Sequence, residues 1–433
     1  MNLILKTLSC CVLAFLAAMP AHAETEAPGP TLLFDAYTGE VISQDRAGEP
    51  WYPASLTKLM TSYVVFRKLR AGTMKLDQQL TVSELAHSQP ASKIGIPAGK
   101  TVSVDFALQA LLVYSANDMA YVLAEGADGS VTAFAKDMND VAHEMGLAAT
   151  HYENPNGLFD PRQITSARDI GIIAALIINQ FPEYTHYFSQ EAVLVGKRRL
   201  PNHNSLIRIM PEAVGMKTGF ICNSGYNLVG SAMKNGRQMI SVVLGARNGA
   251  SRAQLSQLLL TSGLERPADP AHGKVAELID RAYGAIVPFD MTKKVCKNKA
   301  PVIAMSPHVL NGWAISFGNY DDPQKADTAL RGRLISPAGI DAGGIGGVVK
   351  MPDKLGYAAM LWSLDQNASQ AACHQYQLDG APCDVVPESL TSKMAQAAPP
   401  ELASNTPTTD EGSDDDTSGV KPPPHKHARP HIH

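Results

Sequence analysis

A serine three residues before a lysine is the first feature of this sequence that could do chemistry. Ser55 and Lys58 lie in the segment YPASLTKLMT, residues 52–61. Pro53 and Ala54 can begin a helix at Ser55, and apolar residues continue after it with helical spacing. Positions i and i+3 share one face of a helix, so the Lys58 amine can reach the Ser55 hydroxyl. The pattern therefore predicts a serine nucleophile with a lysine as its base.

The same spacing occurs a second time, at Ser231 and Lys234. About one or two such matches are expected by chance in a chain of this length. Asn235-Gly236 follows directly, which is typical of a tight hairpin between two strands. On a strand, positions i and i+3 tend to point to opposite faces. We therefore expect this second pair to be structural.

A serine nucleophile also needs groups that protonate the leaving group, hold the oxyanion and bind the substrate. Ser115 and Asn117 lie in the helix-rich stretch LLVYSANDMAYVLAE, and Lys217, Thr218 and Gly219 lie on the predicted strand AVGMKTGF. Each motif alone is weak, because such residues also occur at helix caps and on strand surfaces. Their order and their contexts make the set specific.

Ser-x-x-Lys, Ser-x-Asn and Lys-Thr-Gly in this order resemble the motifs of the serine D-alanyl-D-alanine carboxypeptidases, the low-molecular-weight penicillin-binding proteins that trim peptidoglycan stem peptides. The likeness runs from about residue 32 to residue 263 and includes LLFDAYTGEVI, FAKDMNDVAHEMGL, SARDIG and MISVVLGA. It implies an α/β fold, the transpeptidase and β-lactamase-like sandwich of an antiparallel sheet with helices. Strands near residues 217–220, 225–233 and 238–246 would belong to the sheet, and KVAELIDRAYGAIV would close the domain as a helix.

Carried over residue by residue, the resemblance makes Ser55 the acylated nucleophile and Lys58, as a neutral amine, its base. A lysine can act in this way if burial and neighbouring positive charge lower its pKa, and Lys217 is suited to be that neighbour. Ser115 would pass a proton to the leaving D-alanine. Asn117 would hold the acyl chain and Lys58.

The resemblance also assigns the groups that bind the substrate. Lys217 and Thr218 would bind the terminal carboxylate, within the motif that Gly219 completes. The backbone N–H groups of Ser55 and Phe220 would form the oxyanion hole. No metal ion or organic cofactor is implied. β-Lactams would act as covalent inhibitors, because they mimic the D-alanyl-D-alanine terminus.

Three other functions remain open. A class A β-lactamase uses a glutamate for deacylation, and the candidates are Glu144, Glu153, Glu183 and Glu191. None lies in a stretch that resembles the glutamate loop of those enzymes, and Ser-Ala-Asn in place of Ser-Asp-Asn favours the carboxypeptidase. A D,D-endopeptidase would cleave peptidoglycan cross-links by the same chemistry. The third possibility is a peptidoglycan-binding protein that has lost its activity.

Both ends of the chain differ in composition from the rest. Residues 1–23 resemble a signal peptide, with Lys6, a short apolar stretch and Ala21-His22-Ala23 before the cleavage point. We therefore expect a periplasmic protein without a clear membrane anchor after cleavage. Residues 389–433 are rich in Pro, Ser, Thr and Asp and are expected to be disordered. Their terminal histidines predict a solvated tail rather than a metal site.

A second module follows the catalytic domain. We expect the catalytic domain at residues 24–285, a linker at 286–307 and the module at 308–388, with two strand–turn–helix patterns and a closing strand. The pattern resembles a SPOR domain, whose family binds glycan strands stripped of stem peptides. Ser316 replaces the polar amide residue of that family, and the second strand carries Ala358, Met360 and Trp362. A spacer is the alternative.

The net charge and the spacing of the cysteines argue against a nucleic-acid-binding protein and against a zinc protein. The net charge of −4 over 433 residues argues against nucleic acid as the main partner. Four cysteines lie outside the expected signal peptide, and their spacing is not that of a zinc site. Cys373 and Cys383 are expected to form a disulfide across the small module. Cys222 is expected to be packed or paired rather than catalytic.

Overall fold

The part of the chain that the structure describes contains two domains. A computed structural model describes residues 29–266, 273–296, 302, 304–352 and 356–398. The expected signal peptide, and the expected tail from residue 399 onward, lie outside these residues. Within them, no helix is both long enough and apolar enough to cross a bilayer.

The strands are β1 Thr31–Asp35, β2 Val41–Asp45, β3 Gln79–Thr81, β4 Thr101–Ser103, β5 Ala192–Val195, β6 Arg198–Pro201, β7 Ala213–Ile221, β8 Gly225–Lys234, β9 Arg237–Ala246, β10 Trp313–Tyr320, β11 Ile345–Lys350, β12 Tyr357–Leu364 and β13 Asp384–Val386. The α-helices are α1 Thr57–Arg70, α2 Glu84–His87, α3 Val104–Val113, α4 Asn117–Asp128, α5 Val131–Glu144, α6 Ala167–Gln180, α7 His186–Ser189, α8 Leu206–Ile209, α9 Gly249–Glu265, α10 Thr292–Val295, α11 Pro323–Leu334, α12 Pro337–Ala342, α13 Gln366–Leu378 and α14 Glu388–Ala397. Short 3₁₀ turns occur at Ala54–Leu56, Pro182–Tyr184, Val275–Glu277 and Pro307–Val309.

An antiparallel sheet of five strands, in the order β2-β1-β9-β8-β7, organises the first domain. Side chains alternate between its two faces, as the strand period requires. Leu32 and Phe34 of β1 enter the large core with α1 and α6, whereas Leu33 enters a smaller core with Leu260 of α9. The predicted sandwich of a sheet with helices is therefore confirmed, and β7 is left at one edge of the sheet.

The hairpin between β8 and β9 shows the role of the second Ser-x-x-Lys pair. Ser231 and Lys234 lie on β8, and Asn235-Gly236 forms the turn to β9 as the sequence predicted. Ser231 is buried and its hydroxyl accepts a hydrogen bond from Gln238, whereas Lys234 is exposed. The pair is structural.

The helix predicted for KVAELIDRAYGAIV was wrong. Only Val275–Glu277 forms a single 3₁₀ turn, and residues 278–290 have no helix. The backbone N–H of Arg281 donates to Gly48 and that of Tyr283 to Ala148, instead of to carbonyl groups four residues back. The Tyr283 ring also stacks on His151 with 4.6 Å between the ring centroids. These contacts with the catalytic core outweigh the local preference for a helix.

The second domain has a four-stranded antiparallel sheet in the order β11-β12-β10-β13. Helices α11 and α13 cover one face, which gives the order βαββαβ along the chain. The sequence predicted both strand–helix patterns and the closing strand. It missed β11, because Ile345-Gly346-Gly347 weakens the strand signal.

The expected disorder from residue 389 is corrected for its first part, because α14 is helical. Thr391 is fully buried and its hydroxyl donates to the carbonyl oxygen of Gly312 at 2.6 Å. Met394 packs on a cluster that contains Val309, Leu310 and Trp362. These contacts with the second domain order a segment whose own composition predicts little structure.

Two disulfides connect the four cysteines of the described chain, Cys373 to Cys383 and Cys222 to Cys296. The first was predicted, and the second shows that Cys222 is paired. Cys296 lies inside the segment expected to be a linker. Met291 of the same segment is fully buried in the catalytic core. Residues 291–296 therefore belong to the catalytic domain rather than to a free connector.

A buried carboxyl pair fixes the segment around residue 280. Arg168 Nη1 lies 2.7 Å from both the Asp169 and the Asp280 carboxylates, and Asp169 is fully buried. Burial, and then the neighbouring Asp280 carboxyl, raise the pKa of Asp169 to about 8. The pair therefore holds a proton at neutral pH.

This proton predicts a pH dependence of stability. Because the folded pKa of Asp169 lies above its ordinary value of 3.8, the folded chain keeps a proton that the unfolded chain releases between about pH 4 and pH 8. The free energy of unfolding should fall as pH rises through that interval, by up to about 1.4 kcal/mol per pH unit, and this contribution should be constant above it. Asp169→Asn should make the slope shallower, measured by urea unfolding at pH 5, 6.5 and 8.

The exposed Asp77→Asn is the matched control and should leave the pH dependence unchanged. If Asp169→Asn kept the wild-type slope, the raised pKa of this carboxyl would be wrong.

Candidate active site

Ser55 and Lys58 lie at the start of α1. Ala54 has a positive φ of 48°, which turns the chain sharply just before Ser55. The 3₁₀ turn Ala54–Leu56 then leads directly into α1. Lys58 Nζ lies 2.9 Å from Ser55 Oγ, so the spacing of three residues brings the amine to the hydroxyl. Both side chains are buried, Lys58 completely.

Two further oxygen atoms surround the Lys58 amine. Its Nζ lies 2.9 Å from Asn117 Oδ1 and 2.7 Å from the backbone oxygen of Asn156. Both oxygens can only accept hydrogen bonds, so they suit the two N–H donors of a neutral amine. The lone pair of that amine can then face the Ser55 hydroxyl.

A second pair of serine and lysine lies on the other side of the cleft. Lys217 Nζ is 2.9 Å from Ser115 Oγ and 2.8 Å from the backbone oxygen of Thr218. Ser115 has a positive φ of 63° in the sharp connection between α3 and α4. A non-glycine residue in this conformation is strained, and such strain is concentrated at functional sites. The turn directs the hydroxyl to Lys217.

The Asn117 side chain has a fixed orientation. Its Nδ2 donates to the backbone oxygens of Pro90 and Ala91, at 3.0 and 3.3 Å, so that Oδ1 faces Lys58. The next residue, Asp118, accepts hydrogen bonds from the backbone N–H groups of Ile94 and Gly95. Burial raises the pKa of Asp118. This carboxyl group therefore holds the loop that positions Asn117.

Gly219 allows β7 to lie directly against the turn that carries Ser55. A Cβ atom at this position would lie 3.0 Å from Ser55 N and 3.1 Å from Leu56 N. A side chain here would push the two backbones apart by a few tenths of an ångström, and glycine avoids this. The edge strand with Phe220 is thereby brought next to the N-terminal turn with Ser55, the two places from which the expected oxyanion donors come.

Asn156 and Gly157 belong to the site, although the sequence did not indicate them. Asn156 is fully buried, its side chain donates to Gln89 at 2.9 Å, and its backbone oxygen contacts Lys58. Gly157 has a φ of 88° and packs on the Ala54 carbonyl, where a Cβ would overlap it. The only signal was Asn-Pro-Asn-Gly, which predicts a turn but not its position beside Lys58.

The four glutamates considered for a β-lactamase are all engaged in ion pairs. Glu144, Glu183 and Glu191 pair with Arg67, Arg70 and Arg199. Glu153 pairs with Arg162 at 3.0 Å, and burial raises the pKa of its carboxyl. Glu153 lines the cavity that contains Ser55, but its carboxylate is directed to Arg162 and His151.

Comparison with known proteins places the chain in a family. The family model described as D-alanyl-D-alanine carboxypeptidase matches residues 17–248. The chain is 36% identical over 257 residues to D-alanyl-D-alanine carboxypeptidase DacC of Escherichia coli, which covers 58% of this chain and 64% of that protein. It is 37% identical over 237 residues to DacA of Haemophilus influenzae, which covers 54% and 60%.

Solved structures show the same fold. The crystal structure of penicillin binding protein 5 from Haemophilus influenzae matches with a TM-score of 0.54 and 36% identity, over 55% of this chain and 71% of that one. The chain spans less than two thirds of the length of the two curated relatives named above. The matched part is the first domain, and through it the chain belongs to the D-alanyl-D-alanine carboxypeptidase family.

Proposed function

We propose that this protein is a periplasmic serine D-alanyl-D-alanine carboxypeptidase that removes the terminal D-alanine from peptidoglycan pentapeptide stems. The observation that carries the proposal is the buried Lys58 amine at 2.9 Å from Ser55 Oγ, with acceptor oxygens placed for its N–H groups. This arrangement activates a hydroxyl without a histidine. The family membership of the first domain and the D-alanyl-D-alanine carboxypeptidases among its relatives support the substrate class.

Acylation begins when Ser55 Oγ attacks the carbonyl carbon of the penultimate D-alanine. Its proton passes to Lys58 Nζ, and the oxyanion is held by the N–H groups of Ser55 and Phe220. Collapse of the tetrahedral intermediate breaks the peptide C–N bond. The proton that Lys58 took passes by way of Ser115, which contacts Lys217 at 2.9 Å, to the leaving amine, so that Lys58 is again a neutral amine. The stem remains bound to Ser55 as an ester.

Deacylation uses the same base. A water molecule gives a proton to Lys58 and attacks the ester carbonyl, and the Ser55 hydroxyl is restored when that proton returns to Oγ. Asn117 keeps Lys58 in place, because its amide is fixed from both ends, and its contact with the acyl chain is taken from the family resemblance. A β-lactam that enters the site acylates Ser55 in place of the stem peptide and leaves a slowly hydrolysed ester.

Lys217 and Thr218 bind the terminal carboxylate of the substrate. Lys217 is only 2% exposed and Thr218 only 3%, so their interaction with an anion is little weakened by water. The requirement for a free carboxylate would restrict cleavage to chain ends. This restriction favours a carboxypeptidase over an enzyme that cleaves within peptides.

The C-terminal module is SPOR-like in this proposal, and its order βαββαβ supports the assignment. Glycan binding through the sheet face has less support. Met360 and Trp362 lie on that face, and both are buried beneath Val309 and Leu310. A glycan strand would reach this face only after these residues and α14 had moved. The two disulfides support the oxidising compartment.

The proposed function is tested by mass spectrometry of the products from pentapeptide and cross-linked muropeptides, with Ser55→Ala as the blank. Loss of one alanine from the pentapeptide, with cross-links intact, is the expected result. Cleaved cross-links would make the protein an endopeptidase. Absence of any product that depends on Ser55 would favour the inactive binding protein.

Ser55→Ala should abolish covalent labelling by a fluorescent penicillin, because it removes the hydroxyl that lies 2.9 Å from the Lys58 amine. Gel fluorescence after denaturation measures the covalent adduct. Ser231→Ala, from the other Ser-x-x-Lys pair, is the matched control and should keep its label. A persistent signal in Ser55→Ala would move the nucleophile elsewhere.

Lys217→Ala should lower kcat/KM for a peptide ending in D-alanyl-D-alanine by about 10- to 100-fold, the cost of one charge-assisted hydrogen bond. The same peptide with a C-terminal amide should show little difference between variant and wild type. Lys234→Ala on the neighbouring strand is exposed and should match wild type with both peptides. Equal losses with acid and amide would remove Lys217 from carboxylate recognition.

A further inference from the structure

The cleft above Ser55 has walls from both domains. A cavity of about 520 Å³ lies over this serine. Residues 220–223 of the catalytic domain form one wall, and the C-terminal module forms another with Leu330, Arg331 and Leu334 of α11 and with residues 344–348. A cavity of this size is typical of small-ligand sites. The module therefore borders the space in which the proposed reaction takes place.

A buried arginine holds the two domains together. The Arg162 side chain is fully buried, and its Nη2 pairs with Asp160 at 2.7 Å and Glu153 at 3.0 Å. The same guanidinium donates across the interface to the backbone oxygens of Gly339, at 3.1 Å, and Gly344, at 3.5 Å. A buried cation is costly unless its donors are satisfied. The catalytic domain therefore contains a buried cation that uses backbone oxygens of the module as hydrogen-bond acceptors.

Polar and apolar contacts extend this interface beyond Arg162. The hydroxyls of Thr132 and Ser363 lie 3.0 Å apart. Ile345 of the module packs on the catalytic core, and Leu85 of the catalytic domain packs on the module cluster that contains Trp362. Contacts of both kinds, at separate places, fix the orientation of the module over the cleft.

The direction of a bound peptide places its upstream part beneath the module. On the proposed function, the terminal carboxylate lies at Lys217 and Thr218 and the scissile carbonyl lies between Ser55 and Phe220. The peptide must then continue along β7 toward residues 221–223. These residues line the same cavity as Arg331 and Leu334. The residues before D-alanyl-D-alanine would therefore meet the module.

Arg331 is the cation that the module presents to this space. Its guanidinium carbon lies 3.9 Å from the centre of the Phe159 ring, and its Nε pairs with Asp327 at 2.5 Å. Among the described residues, its two terminal nitrogens make no hydrogen bond, and its side chain is 29% exposed. A guanidinium fixed in this way is suited to bind a carboxylate through its terminal N–H groups.

The acidic groups of the cavity are paired at other atoms than the terminal nitrogens of Arg331. Asp160 and Glu153 are both paired with Arg162, and Asp327 occupies only the Nε of Arg331. The Phe159 ring covers one side of the cation, and Leu330, Leu334 and Ile345 add apolar surface to the same cavity. Water is thereby partly excluded, which strengthens an ion pair formed with a ligand.

We propose that the C-terminal module is part of the substrate site, and that Arg331 binds a carboxylate of the stem peptide upstream of D-alanyl-D-alanine. The inference rests on the proposed function, because that function sets the direction of the peptide. The ligand of this part of the site would be an anionic peptide that has a free carboxylate on a residue before the terminal dipeptide. Arg331 is then a specificity-determining residue supplied by the second domain.

Binding in the absence of turnover tests the inference. Full-length Ser55→Ala is titrated by calorimetry with two pentapeptides, L-alanyl-γ-D-glutamyl-L-lysyl-D-alanyl-D-alanine and the same peptide with the free glutamyl carboxyl amidated. The acid should bind on the order of tenfold more tightly than the amide, as expected for one partly shielded ion pair. Adding Arg331→Gln should bring this ratio close to one. Lys325→Gln, which removes an exposed lysine from the same helix, should leave it unchanged.

Turnover separates this inference from the proposed function. With Ser55 intact, Arg331→Gln should release D-alanine from diacetyl-L-lysyl-D-alanyl-D-alanine within about twofold of the wild-type rate, because that peptide has no upstream carboxylate. An equal affinity for acid and amide in Arg331-containing protein would overturn the inference. Equal losses with all peptides, or a general gain of activity in Arg331→Gln, would also overturn it. Absence of D-alanine release from every peptide by wild type would instead refute the proposed function.

Discussion

The buried amine of Lys58 is the constraint on which the architecture of the site depends. Three segments distant in sequence each bring one oxygen atom to within 2.9 Å of its nitrogen: the turn with Ser55, the start of α4 with Asn117, and the loop with Asn156. A lysine removed from water must have its donors satisfied. The position of each segment must therefore be fixed to within a few tenths of an ångström. Several surrounding contacts fix these positions. Asp118 holds the loop beneath Asn117, Gln89 holds Asn156, and Gly157 and Gly219 let two backbones approach the Ser55 turn.

The sequence predicted those parts of the site in which local spacing determines position. The relation of Ser55 to Lys58 follows from one turn of helix, and the hairpin after β8 follows from Asn235-Gly236. The antiparallel sheet with helices also followed from the motifs and their resemblance. Asn156 was not predictable, because its contribution is a backbone oxygen and any residue type supplies one. Its role depends on a loop path that is set by contacts about 100 positions away in the chain, Lys58 included.

The errors share one physical cause, which is that tertiary contacts outweigh local preference. The segment KVAELIDRAYGAIV has a helical pattern, but Asp280 binds Arg168 and Ser166 and the backbone of Tyr283 binds the core. The segment after residue 388 has few apolar residues, yet Thr391 and Met394 find a prepared surface on the second domain. In both cases the partner lies far away in the sequence, so a local pattern holds no information about it.

The interface between the domains also depends on contacts between residues that are far apart in the sequence. Arg162 cannot be buried by the catalytic domain alone, because two of its acceptors, Gly339 and Gly344, belong to the module. Its two carboxylate partners, Glu153 and Asp160, are also largely buried. If Arg162 moved, their negative charges would lose the ion pairs that offset the cost of burial. The catalytic domain thus contains a charged cluster whose hydrogen bonds are complete only when the module is docked.

The Cys222–Cys296 disulfide ties the end of β7 to the segment that leads into the module, which limits how far the module can depart. That same end of β7 lines the cleft, so the disulfide joins one wall of the cleft to the chain that continues into the module.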